Sequence, residues 1–110
     1  MDKDSEIMKE QRKMRKLFAR MPENKKKLCT GLMQNAAFMA VTLRELQREV
    51  IDHGAVIECK SGNGFDTVRD NPAQKAYTTM IARYSGIISQ LLALLPEESE
   101  EDPLAEFRDG

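Results

Sequence analysis

A mainly α fold is predicted for this chain: an N-terminal basic helix, then two long apolar helices joined by a β-hairpin, with the whole forming an oligomer. Three observations carry that expectation. Apolar residues recur at Leu28, Leu32, Ala36, Met39, Leu43, Leu46 and Val50, at helical intervals of three and four. The same period returns at Ala73, Tyr77, Met80, Tyr84, Ile88, Leu91 and Leu95. Between these stripes Ala55, Ile57 and Cys59 alternate with Val56, Glu58 and Lys60, the period of a strand.

Taken in order, the first helix starts at Asp4 or Ser5, either of which can cap free backbone N–H groups, with Glu6 in the first turn where the helix dipole favours an acid. Ile7, Met14, Leu17, Phe18 and Met21 give it one narrow apolar stripe. Pro22 ends it, because proline disfavours helical geometry in the residue before it. The second helix runs from Pro22 or Glu23 to His53, roughly 45 Å at 1.5 Å per residue, and Gly54 closes it. Ser61 to Gly64 make a tight turn, and Phe65 to Arg69 return as the second strand. A lone two-stranded hairpin is marginally stable, so it is expected to lie on helices of its own or a neighbouring subunit. Asn71 then caps the third helix, Pro72 takes its first position, and Gln74 can complete a capping box. Pro96 stops it.

The net charge of -1 conceals a division into three parts. Residues 1–27, the basic helix and corner, carry ten Lys and Arg against five Asp and Glu. Residues 28–96, the helix–hairpin–helix core, carry six of each sign. Residues 97–110 carry seven acids against Arg108 alone, and so little apolar content that a disordered tail is expected. With 5% aromatic residues and no Trp, the core must be built from aliphatic side chains and Met, which suits helix packing.

Chemistry is sparse. Cys29 and Cys59 have no CxxC spacing and no nearby His, so they read as reduced core residues. His53, the only histidine, falls in the last turn of a helix, where a cation suits the dipole. Gly62-Asn63-Gly64 lacks the third glycine and the following helix of a dinucleotide fingerprint, so it reads as a turn. No phosphate loop, HExxH or paired metal-ligand spacing occurs. The expectation is a protein that is not an enzyme, with no catalytic residue, cofactor or metal. No apolar run approaches the ~20 residues that span a bilayer. The opening MDKDSEIMKEQRK is unlike a signal peptide, so a cytoplasmic location is expected.

Two surfaces remain. Lys9, Arg12, Lys13, Arg15, Lys16 and Arg20 lie on the polar side of the first helix, and Lys25, Lys26 and Lys27 follow just beyond the corner. Two basic surfaces meeting at a turn can straddle a phosphate backbone and release its counterions, which makes these nine residues the candidate DNA contacts. The second and third helices are apolar over more than one partner can cover, so Leu43, Leu46, Val50, Ile87, Ile88, Leu91 and Leu92 are the candidate oligomer interface. The competing expectations are a first helix that covers this surface within one subunit, and a protein-only adaptor that binds no DNA.

The order of segments adds a resemblance. The helix NAAFMAVTLRELQREV, then GAVIE entering a Gly/Asn-rich hairpin, then NP opening an apolar helix that ends in LLP, resembles small terminase subunits of tailed bacteriophages and prophages. It covers roughly Phe18 to Pro96. It departs in the first segment, which offers one clear helix before the corner rather than a helix-turn-helix. The resemblance implies a ring-forming, non-catalytic part of the viral genome-packaging motor in the host cytoplasm. Such a subunit recognises double-stranded viral DNA and presents it to the large terminase subunit, which the acidic tail is then expected to contact.

Overall fold

The structure is a computed structural model that describes residues 2–60, 62, 64 and 66–96. The expected tail of residues 97–110 and the turn residues Ser61, Asn63 and Phe65 lie outside the described residues. Helix α1 spans Lys3–Leu17, a single 3-10 turn spans Glu23–Lys25, and helix α2 spans Lys26–His53. Strands β1 (Val56–Lys60) and β2 (Asp66–Asp70) form an antiparallel hairpin, and helix α3 spans Pro72–Leu94. The described chain is mainly helical, as the periodicity predicts.

Helix α2 is the axis of the molecule, and its two neighbours run antiparallel to it. On one side Lys3 of α1 pairs with Glu45 of α2, while Phe18 at the far end of α1 meets Cys29. On the other, the Lys25 ammonium donates to the Leu94 carbonyl (3.4 Å), and Gln47 donates to the Tyr77 hydroxyl (3.0 Å). The core gathers at the corner end. Phe18, Met21, Cys29 and Leu91 are buried together, with Leu32, Met33, Ile87, Ile88, Leu94 and Leu95 packed around them. This cluster draws on both sides of the charge boundary at residue 27, so α1 is docked on the core.

Two local expectations need correction. The cap of α1 is Asp2, whose carboxylate accepts from the Ser5 N–H (2.8 Å), so the helix starts a turn-fraction earlier than Asp4 or Ser5 would allow. That hydrogen bond also holds the Asp2 carboxyl below its ordinary range. The helix ends at Leu17, well before Pro22, because Phe18 and Met21 must both turn inward to reach Cys29 and Leu91. The end of α2 matches expectation: Gly54 has φ +89°, a backbone that residues with a Cβ adopt only under strain.

Asn71 fastens the hairpin to the helices. Its side-chain oxygen accepts from Ala73 N (3.0 Å), capping α3, while its side-chain nitrogen donates to Gly54 O and its backbone N–H to Ala55 O (both 2.8 Å). One buried side chain thus ties the end of α2 to the start of α3. Beyond that tie the hairpin projects. In β1 only Ile57 and Cys59 are half-buried, and β2 is exposed along its whole length, so the chain's own helices do not cover it. The register pairs Glu58 with Val68 and Val56 with Asp70, which puts Val56 and Val68 on one face, both exposed.

The oligomer candidates divide. Leu91 has 0% of its surface exposed and Leu43 has 6%, so both are interior residues of a single chain and are withdrawn from the interface. For Leu91 the reason is the corner that follows α1, whose Phe18 and Met21 are buried with it and Cys29; Leu43 precedes Arg44, which Glu10 of α1 pairs with. Leu46, Val50, Ile87 and Ile88 are half-buried, the last two against the core. Leu92 is exposed, as are Leu17, Leu28, Phe38 and Ile51.

Candidate nucleic-acid interface

Eight of the nine predicted contacts, Lys9, Arg12, Lys13, Arg15, Lys16, Arg20, Lys26 and Lys27, have exposed side chains; Lys25 is half-buried. Their distribution follows from where α1 turns its apolar stripe. Lys9 and Lys13 line a recess between α1 and α2 together with Glu6, Glu10 and Arg44. Lys16 continues that row, three residues beyond Lys13, and Arg12 sits one step further round the helix, since residues three and four apart share a face. Arg15 points to the other flank, where it lines a second recess with Lys26, Cys29 and Thr30. Arg15 and Lys26 thus lie together at the corner, and α1 carries Lys9, Lys13 and Lys16 on one flank and Arg15 on the other.

Some of these charges already have partners. Lys13 lies 3.4 Å from Glu10, Lys26 lies 2.6 Å from Glu23, and Lys25 bonds the end of α3. The recess of Lys9 and Lys13 gains Arg44, which sequence reasoning missed. Arg44 donates to the Glu10 carboxylate at 2.8 Å. Burial alone would push the Glu10 carboxyl up; the Arg44 hydrogen bond and charge, joined by Lys13, outweigh it and hold the group below its ordinary range. The same burial pushes the Tyr84 hydroxyl up, reinforced by Glu10 and opposed by Arg44. A signal for this cluster was present. Glu10 lies three residues after Ile7 and four before Met14, on the apolar stripe, and an acid there needs a cation opposite.

Glu10 therefore positions α1, and its replacement has a definite signature. A carboxyl depressed on folding stabilises the chain above its unfolded value, near 4.5, and loses that contribution as pH falls through the lower folded value. Glu10→Gln is expected to cost about 1 kcal/mol at neutral pH, since Arg44 remains half-exposed and solvated when its partner goes. The two unfolding curves should converge below pH 4.5. Thermal denaturation across the acid range checks this, and a constant offset between variant and parent at all pH values contradicts it.

The other predicted groups have structural surroundings. His53 Nδ1 lies 2.6 Å from the Glu49 carboxylate one turn earlier, at the exposed end of α2. Cys29 is buried, which pushes its thiol up despite the nearby Lys25 charge, and Cys59 is half-buried on the hairpin. Cys29 is the core residue expected, whereas Cys59 sits outside the buried cluster. Among the described residues no group of three or more His, Cys, Asp or Glu could hold a metal ion, and no helix is long and apolar enough to cross a membrane. Between α2 and α3, Met39, Ala76 and Met80 line an open, largely apolar groove together with Lys75 and Arg83.

Comparison with known proteins returned no match: no protein-family model, no curated protein and no solved structure resembles this chain significantly.

Proposed function

We propose that this chain is the small terminase subunit of a tailed bacteriophage or prophage, a non-catalytic, DNA-binding and ring-forming component of the genome-packaging motor. It acts in the host cytoplasm by holding duplex DNA and recruiting and regulating the large terminase subunit. The observation that carries the reading is the docked α1: a ridge with exposed Lys9, Lys13 and Lys16 on one flank and Arg15 beside Lys26 on the other, fixed on a helix–hairpin–helix body by Glu10 and the Phe18–Met21 cluster. A rigid basic ridge needs no folding on binding, so contact with phosphates is not offset by ordering α1.

Self-assembly draws support from what the single chain leaves uncovered. The hairpin shows Val56 and Val68 to solvent on one face, and a two-stranded sheet gains stability only when something covers it. Leu92, Phe38 and Ile51, with the half-buried Leu46, Val50, Ile87 and Ile88, supply further apolar area for a second copy. Native mass spectrometry of the purified chain, alone and with a mixed-sequence duplex, tests both parts. A closed oligomer of many copies that takes up DNA, and releases it as salt rises, is the expected result. A monomer that ignores DNA contradicts it. The apolar groove of Met39 and Met80 favours a second reading, a protein-only phage adaptor or assembly factor that grips a partner helix there. A chain that binds a partner protein but no duplex would establish that alternative.

A further inference from the structure

The described chain ends at a particular place. Lys25 donates to the Leu94 carbonyl (3.4 Å), and Leu95 packs on the cluster of Phe18, Met21, Cys29 and Leu91. Helix α3 therefore delivers the chain to the same corner that holds Arg20 and Lys25–Lys27. Glu97 follows Leu95 by two residues, which places its Cα within about 7 Å of the Leu95 Cα. From there the sequence reads Glu97-Glu98-Ser99-Glu100-Glu101-Asp102, five acids in six residues. Six extended residues reach roughly 20 Å, several times the ~3 Å rise from Lys25 to Lys27.

The corner itself is short of negative charge. The first turn of α2 carries Lys26 and Lys27 but no acid and no side-chain cap, at the end of the helix where its own dipole is positive. Glu23 offsets Lys26, and Lys27 makes no ion pair among the described residues. Like charges thus accumulate within reach of a tethered run of acids.

We propose that the chain's own acidic segment, residues 97–110, docks on the basic corner of Arg20 and Lys25–Lys27 and competes there with a nucleic-acid backbone. Each exposed ion pair contributes little on its own. The tether changes the arithmetic, because a short linker raises the local concentration of the acids to the order of millimolar. The docking stands independently of the packaging function; its regulatory consequence rests on the DNA-binding reading. In the docked state only part of the cationic surface is open, and the apparent affinity for DNA falls by the open fraction. With about a tenth of the population open, that is about tenfold.

Two measurements test this on the full chain. The first is carbodiimide coupling, which joins a carboxylate to an amine only when they touch, applied to an equal mixture of isotope-labelled and unlabelled chains. Peptide mass spectrometry should find Lys25, Lys26 or Lys27 joined to Glu97–Asp102 within one chain. Absence of these links, or links only between labelled and unlabelled chains, overturns the proposal. The second compares the parent with a chain carrying Glu97→Gln, Glu98→Gln, Glu100→Gln, Glu101→Gln and Asp102→Asn, by fluorescence anisotropy with a short mixed-sequence duplex. The neutral chain should bind about tenfold more tightly at low salt, with the gap closing as salt rises. Intrachain links with equal, measurable affinities overturn the competition. Links with no duplex binding by either chain keep the docking and refute the DNA-binding reading instead.

Discussion

Leu91→Ala should unfold this protein more readily than any other single substitution considered above. Leu91 is the largest fully buried side chain among the described residues and has none of its surface exposed. It is also buried with residues from two other segments: Phe18 and Met21 at the corner, and Cys29 on α2. Truncation removes the γ carbon and its two methyl groups and leaves a cavity between helices that cannot close without moving the corner after α1. The expected cost is about 2–5 kcal/mol, against a total of about 5–15 kcal/mol for a domain of ordinary stability. In a chain of this length the melting temperature should fall by about 10 °C or more. Leu91→Met keeps the volume and should cost less than about 1.5 kcal/mol. Leu92→Ala makes the sharper contrast, because Leu92 is exposed in the single chain. It should leave the monomer's melting unchanged while weakening any assembly of copies. Calorimetry with sedimentation separates the two, and equal destabilisation by both variants contradicts the burial of Leu91 and the exposure of Leu92.

Replacing Lys25, Lys26 and Lys27 together by Ala is the second large effect, read in DNA binding rather than in folding. Each phosphate neutralised by a lysine contributes about 0.9 to the slope of affinity against salt. Three equivalent lysines would lower that slope by almost three. Because Lys25 is half-buried and bonded to Leu94, its ammonium is partly engaged, and the expected loss is nearer two. Raising salt from 50 to 200 mM should then cost the parent about tenfold more affinity than it costs the variant. The weakening should be similar across DNA sequences, as phosphate contacts carry no base information. The comparison is best made with the acidic segment neutralised in both chains, so that only the duplex competes for these amines. An unchanged slope removes the corner from the interface and leaves the row of Lys9, Lys13 and Lys16.

Helix number, helix order and the hairpin were legible in the residues because each rests on a short-range period. The stripe Ala73, Tyr77, Met80, Tyr84, Ile88, Leu91 and Leu95 is the buried or half-buried face of α3, residue for residue. Asn71-Pro72 and Gly54 mark their helix ends through local backbone chemistry, and the structure agrees with both. Where the reading fell short, long-range contacts were at issue. The end of α1 depended on how far Phe18 and Met21 had to turn to meet Leu91, 70 or more positions away in the chain. Leu43 and Leu91 looked like surplus apolar surface because a stripe in sequence does not say which neighbour will cover it.

The chain's charge layout belongs to the sequence alone: a basic head, a neutral middle and an acidic end are countable without coordinates. So are the two periods that make helices and a hairpin, since they follow from the geometry of each element separately. Only the tertiary structure decided that α1 lies antiparallel on α2, clamped by Glu10 and Arg44, and that Arg15 faces Lys26 on the flank away from Lys9 and Lys13. It also decided that α3 returns the chain to Lys25, and that the hairpin stands clear of its own helices. The physical reason is one of range. Periodicity and capping are set by neighbours within a turn, whereas burial and charge pairing depend on which distant surfaces meet.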